Sequence, residues 1–187
     1  MPGPYFWSDT HFNHEGILHF TTRPWKTVRE MNDALLEKWN SVVGSRDEIY
    51  LLGDFAFKHP LGDDIEGLFL RLHGKKFLLR GNHDYRNPSV LKLPWDDAWD
   101  LREVKSEGRK AVCCHYPLEA WPSSHYGAMM LHGHSHGTLR RKAPKRFDVG
   151  VDAIGRDGPL SFDTLWEMAE REPFIPSDHH GAKNYDL

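Results

Sequence analysis

The sequence predicts an α/β domain, and three observations carry that expectation. Short apolar runs of strand length recur along the chain, amphipathic stripes of helical period fall between several of them, and the runs hand over directly to polar residues that bind metals. Near-continuous apolar runs read as strands buried on both faces. In α/β folds, ligands bind outside the carboxyl ends of the strands, on the loops that follow.

Taken in order, residues 4–8 lead into Asp9-Thr10-His11. Thr27 and Glu30 have the spacing of a capping box, and Val28, Met31, Leu35, Trp39 and Val42 then form one apolar helical stripe. The run 48–52 leads into Gly53-Asp54. A second stripe comprises Leu61, Ile65, Leu68, Phe69 and Leu72, with Gly74 as its expected C-terminal cap. The run 76–80 leads into Gly81-Asn82-His83-Asp84, 110–114 into His115, and 128–131 up to Gly133-His134-Ser135-His136. A further strand is expected over 146–152, where Asp148 and Asp152 read as strand and turn residues. Ser161 caps a third helix carrying Leu165, Trp166 and Ala169, which Pro173 stops. Residues 1–172 are expected to form one domain, and 173–187, polar and without period, a loosely ordered tail.

Composition bounds the function. A chain of 187 residues, 39% hydrophobic and 27% charged, suits a single soluble domain with a sizeable core. A net charge of −3 makes the whole molecule a poor general attractor of nucleic acid or anionic membrane. Cys113 and Cys114 are adjacent and offer no disulfide framework, which suits a reduced, cytoplasmic setting. Residues of functional character begin at position 9, leaving no room for a secretory signal, and no apolar stretch approaches the ~20 residues of a membrane span.

The chemistry lies in the ordered set of motifs. Asp9 and His11 are two apart, a spacing that in extended backbone sends both side chains to one side. His134 and His136 repeat it, with Gly133 before them permitting close backbone approach. The donors are nitrogen and oxygen without thiolate, which disfavours iron–sulfur and Cys-rich zinc sites. So many imidazoles also argue against magnesium or calcium alone, leaving manganese, iron, zinc or nickel.

The succession D-x-H, G-D, G-N-H-D, H and G-H-x-H, from Asp9 to His136, resembles the signature of the calcineurin-like metallophosphoesterases. The opening Ser8-Asp9-Thr10-His11-Phe12-Asn13-His14 is similar to that of their small single-domain bacterial and phage members. The resemblance implies a four-layer α/β/β/α sandwich of two mixed sheets and a pair of divalent ions, manganese preferred. It implies one ion on Asp9, His11, Asp54 and His136, a second on Asp54, Asn82, His115 and His134, with Asp54 as the bridge. His83 would sit beside the phosphate as the catalytic residue, giving a proton to the leaving oxygen or stabilising charge on the phosphoryl group. A hydroxide shared by the ions would be the nucleophile, and Asp84 is a candidate to orient His83. His14 and Arg23, close to the first motif, are candidates for lining the phosphate pocket; for Arg23 a solvated loop charge is the equal alternative.

Departures narrow the activity. Gly53-Asp54-Phe55-Ala56-Phe57 lacks the acidic and basic residues that follow Gly-Asp in the family's protein phosphatases, so phosphoprotein phosphatase activity is disfavoured. The expected reaction is phosphodiester hydrolysis on a small nucleotide-like or cyclic ester. Phosphomonoesterase activity is one alternative. A nuclease acting on RNA or DNA ends is another, drawn by the basic run Arg140, Arg141, Lys142, Lys145 and Arg146. A catalytically inactive binding scaffold on the same fold is the alternative of another class. The sequence says nothing about oligomeric state.

Overall fold

The structure, a computed structural model, describes residues 3–57 and 64–173. Along the first part lie β1 (Tyr5–Trp7), α1 (Ile17–Phe20), α2 (Val28–Val42), β2 (Glu48–Leu51), α3 (Ile65–Arg71), β3 (Lys75–Leu79), α4 (Asn82–Tyr85), α5 (Pro88–Leu91) and β4 (Asp97–Trp99). The rest carries β5 (Leu101–Ser106), β6 (Arg109–Cys114), β7 (Met129–His132), β8 (Arg146–Asp148), β9 (Leu160–Ser161) and α6 (Phe162–Glu170).

Two mixed sheets form. The first has the order β4-β3-β2-β1-β9 and the second β5-β6-β7-β8. Strands β1 to β4 are mutually parallel, and so are β6, β7 and β8, whereas β9 and β5 run antiparallel to their neighbours. Strand alternation assigns successive residues to opposite layers. Trp7, Ile49, Leu51 and Leu78 face out and pack against Met31, Leu35 and Trp39 of α2 and Phe69 of α3. Their neighbours Phe6, Tyr50, Leu52 and Leu79 face in, toward Ala111, Cys113, Met129 and Leu131 of the second sheet. Val112, Cys114 and Met130 point outward again, beneath Leu118, Trp121 and Ala128. The fold is thus an α/β/β/α sandwich, its fourth layer a segment with one 3-10 turn, Ser124–Tyr126. Cys113 and Cys114, on opposite faces of β6, are both buried free thiols.

The helix ends are capped by the chemistry expected of them. Thr27 accepts from the amide of Glu30 at 3.2 Å and Ser161 from that of Thr164 at 3.1 Å, each worth about 1 kcal/mol. Asp64 caps α3 through Gly67 at 2.7 Å; Leu61 of the expected stripe lies outside the described residues, as does nearly all of the tail. Gly74, at φ +88°, lies past the end of α3 and turns the chain into β3. The strand expected over 146–152 ends at Asp148; Gly150 then bridges to Ser8 and ties the second sheet to β1. Strands β4 and β5 were not expected. On β5 only Val104 is buried, so this edge strand carries no apolar run to announce it. Among the described residues, no helix is long and apolar enough to cross a membrane.

Candidate metal centre

The parallel strands release their loops along one edge of the sandwich. β1 delivers Asp9 and His11, β2 delivers Asp54, β3 delivers Asn82 and His83, β6 delivers His115, and β7 delivers His134 and His136. These side chains converge, but not by strand alternation. Asp9, His11, Asp54, His134 and His136 have φ of 56°, 49°, 56°, 66° and 46°, five of the nine non-glycine residues with positive φ among those described. Left-handed backbone costs ~1 kcal/mol or more per residue, even though Asp and His tolerate it better than most. Five together approach the whole stability of an ordinary domain, so the surrounding structure must enforce them. Amides do part of this: Asp9 donates to the carbonyl of Gly53 and His11 to that of Asp54, both at 3.0 Å. Gly133 leaves room for the convergence, since a Cβ there would collide with Ser8 Oγ and Asp9 Oδ2.

Donor atoms gather on two sides, Asp9 with His11 and His136, and Asp54 with His115, and Asp9 also comes within 4.8 Å of the second pair. Asp9 Oδ1 lies 3.9 Å from both His11 Nε2 and His136 Nε2, and His11 Nε2 lies 3.8 Å from Asp54 Oδ2. On the other side, His115 Nε2 lies 3.5 Å from Asp54 Oδ2 and 3.2 Å from Asn82 Oδ1, which is 3.1 Å from His134 Nδ1. Ligands ~2.1 Å from a common ion stand ~3.0–3.4 Å apart in octahedral or tetrahedral array, a little under most of these spacings. Asp54 Oδ2 is therefore flanked by imidazoles of both groups. Its Oδ1 is engaged by the amide of His83 at 2.9 Å.

The imidazoles are oriented from behind. His115 directs Nδ1 to the carbonyl of Leu52 at 2.7 Å, and His136 directs Nδ1 to Asp152 Oδ2 at 2.8 Å, which leaves each Nε2 facing the carboxylates. Both nitrogens of His11, a residue only 2% exposed, lack any hydrogen-bond partner. A buried orphaned imidazole costs on the order of 1–3 kcal/mol per unmet group, and a cation between His11, Asp9 and Asp54 would remove that penalty. The donor set thus fits divalent ions.

Electrostatics point the same way. Burial pushes Asp9 up to about 7, against the pull of His115 and His136. Burial also raises Asp54, but contact with His115, aided by His11, holds it at about 2. For His115, burial opposes the charge, yet Asp54 and Asp9 raise it to about 9. Burial keeps His11 neutral, well below its ordinary range. In the metal-free protein, protons on Asp9 and His115 offset charge that divalent ions would neutralise.

The remaining expected residues divide. His83 is partly exposed, with Nε2 3.9 Å from Asp54 Oδ2. It lines an open cavity of about 960 Å³ together with His11, His14, Phe57, His134 and His136. His14 stacks on Phe57 at 4.2 Å and forms one wall. Burial, with the nearby His83 and Arg23, lowers His14 to about 4. Arg23 is neither in the cavity nor solvated: its side chain is 1% exposed and bonds the carbonyls of Thr10 and Asp9 at 2.9 and 2.6 Å. Nor does Asp84 orient His83. It faces the other way and accepts the amides of Gly81, Asp54 and Phe55 at 2.8–3.0 Å, capping the turns that hold the centre.

The basic run does not form one face. Arg140 and Arg141 line the cavity, whereas Arg146 is committed to the carbonyls of Leu118 and Arg141. Asp152, which reads as a turn residue in the sequence, instead joins the site behind His136. Its one available signal was position, at the carboxyl end of an apolar strand run like the ligands themselves.

No protein-family model matches the chain. In fold, it superposes on a crystallised protein of unknown function from Aquifex aeolicus, AQ665, with TM-score 0.71 and 23% identity, over 88% of this chain and 98% of that one. YfcE, a phosphoesterase from E. coli, is a more distant likeness at TM-score 0.48 and 15% identity, over 84% and 80%, too weak to bear on fold or activity. In sequence, the uncharacterized protein MJ1445 of Methanocaldococcus jannaschii is 30% identical over 173 residues, covering 89% of this chain and 91% of that protein. The chain belongs to the family of MJ1445.

Proposed function

We propose that this chain is a metal-dependent phosphoesterase that cleaves small phosphodiesters. The observation that carries the reading is the buried His11 imidazole, with both nitrogens unpartnered and Nε2 directed between the carboxylates of Asp9 and Asp54. Asp9, His11, Asp54 and His136 would hold one divalent ion, and Asp54, Asn82, His115 and His134 the second, with manganese the preferred metal and iron, zinc or nickel able to substitute. Such a pair supplies Lewis acidity and lowers the pKa of water toward neutrality.

The protein's own groups do the rest. Two carboxylates against two divalent ions leave the floor net positive, so an anionic ester is drawn in. Arg140 and Arg141 add positive charge at the cavity wall. His83 reaches the cavity from the N-terminus of α4, and from there would give a proton to the departing oxygen. The stacked His14 and Phe57 offer a flat apolar wall to the organic part of the substrate. An open cavity of about 960 Å³ leaves room for an organic group on each side of the phosphorus, which favours a diester over a monoester.

The test is hydrolysis of bis-p-nitrophenyl phosphate and p-nitrophenyl phosphate by metal-stripped protein, with Mn²⁺ returned. Manganese-dependent cleavage, faster on the diester, is the expected result. Cleavage of neither ester with Mn²⁺, Zn²⁺, Fe²⁺ or Ni²⁺ would discard the reading.

A further inference from the structure

A buried ion pair, Arg23 with Asp152, lies behind the candidate metal centre. Arg23 and Asp152 are 129 residues apart in sequence, and their side chains are 1% and 7% exposed. The guanidinium meets the carboxylate with two bonds, Nε to Oδ1 at 3.0 Å and an NH2 nitrogen to Oδ2 at 2.8 Å. Its remaining reach goes to the carbonyls of Asp9 and Thr10 and to Met31 Sδ. Asp152 Oδ2 also takes Nδ1 of His136 at 2.8 Å. One Arg–Asp unit therefore touches two members of the same half of the centre, the backbone of Asp9 and the ring of His136, and also Thr10 between Asp9 and His11.

A buried pair of this kind is weak evidence of stability, because desolvating two ions offsets most of their attraction. Its geometry has another use. Asp9 and His11 hold left-handed backbone on either side of Thr10, and a fork that grips the carbonyls of Asp9 and Thr10 fixes that strained segment. The carboxylate at its other end fixes the tautomer of His136, so that Nε2 and not Nδ1 faces Asp9. Arg suits the role better than Lys, because a planar fork engages one carboxylate and two carbonyls at fixed angles.

We propose that Arg23 and Asp152 are positioning residues that preform the Asp9–His11–His136 half of the metal centre before an ion arrives. The inference rests on the metal-centre reading above. It assigns no such role to the Asn82–His115–His134 half, whose imidazole His115 is oriented by the carbonyl of Leu52 instead. Loss of the pair should therefore weaken one ion selectively.

The experiment is calorimetric titration of metal-stripped, folded protein with Mn²⁺, comparing the wild type with Asp152→Asn and Arg23→Lys, with circular dichroism to establish folding. The wild type should bind two ions. In Asp152→Asn one ion should weaken about 10–100-fold while the other stays within a few-fold. Arg23→Lys should weaken the same ion by less. Asp152→Ser, which removes the carboxylate without adding bulk, is the second variant should Asn prevent folding. A folded variant with a lower melting point but unchanged constants for both ions would make the pair merely structural and overturn the inference alone. Equal weakening of both ions would overturn it too. A wild type that binds no ion would overturn the metal-centre reading and this inference with it.

Discussion

Around Asp9 and His136 the supporting groups include the side chains of a buried ion pair, whereas in the other half the ring of His115 is oriented by a backbone carbonyl. The first half leans on Arg23 and Asp152, with His136 bound to Asp152. The second leans on the carbonyl of Leu52, which orients His115. Backbone support comes with the fold, while side-chain support can be removed by one substitution. The two halves should accordingly differ in how easily they are lost, and Asp54, whose Oδ2 lies between His11 and His115, stands between them.

Replacing Asp54 should have the largest effect. In Asp54→Asn the oxygen flanked by His11 and His115 loses its charge, so both ions should weaken together and turnover fall by about 10³-fold or more, given the several kcal/mol that metal Lewis acidity contributes. Metal titration checks this. One ion retained at full affinity would show that Asp54 belongs to a single half, and the comparison would need redrawing.

His83 belongs to neither half. Its Nε2 is 3.9 Å from Asp54 Oδ2, but it is partly exposed in the cavity, as a proton donor to substrate should be. His83→Ala should keep both ions and lose about 10²–10⁴-fold in turnover, the usual worth of a general acid. Loss of an ion in this variant, seen in the same titration, would instead make His83 a ligand.

These contrasts explain what the sequence could and could not convey. The residues that converge were legible because each motif sits at the carboxyl end of an apolar run and their chemistry needs no knowledge of the fold. The means of convergence was not legible. Extended alternation accounts for a two-residue spacing on paper, but Asp9, His11, His134 and His136 meet through left-handed turns enforced by contacts from elsewhere in the chain. Arg23 was ambiguous for a similar reason: a loop arginine before a proline looks solvated until Asp152, brought in beyond the Gly150–Ser8 bridge, gives it a buried partner. The edge strand β5 escaped notice because one buried side chain, Val104, makes no pattern.

Proton linkage offers a test that spans both halves. Without ions, Asp9 in the first half is raised to about 7 and His115 in the second to about 9. Unfolded, these groups titrate near ~4 and ~6.5, so over the intervening pH the folded state binds the extra protons. Stability from Asp9 is then lost as pH rises from about 4 through 7, and stability from His115 as pH rises from about 6.5 through 9. Asp54, held at about 2, works in the opposite sense, but only at pH below about 4. Chelator-treated protein should melt roughly 10 °C lower at pH 8.5 than at pH 6, the two groups together changing by ~4 kcal/mol at ~2–4 °C per kcal/mol for a domain of this size. Saturating Mn²⁺ should abolish the fall, because the ions replace those protons. A metal-free melting point that is flat across this range would mean that the carboxylates and His115 do not exchange protons for metal.

The smallest effect separates two arginines that look alike in sequence. Arg23 is enclosed behind the centre, so its removal should register in metal affinity and hardly respond to salt. Arg140 is exposed at the cavity, where charge is screened over ~8 Å at physiological ionic strength. Arg140→Ala should raise KM for an anionic diester about 2–5-fold at low salt and leave kcat and metal binding unchanged, with the difference shrinking as salt is added. Such a pattern would mean that Arg140 acts on the substrate before the chemistry begins. A fall in kcat instead would place it against the reacting phosphoryl group and extend the catalytic machinery beyond the strand ends into the loop after His136.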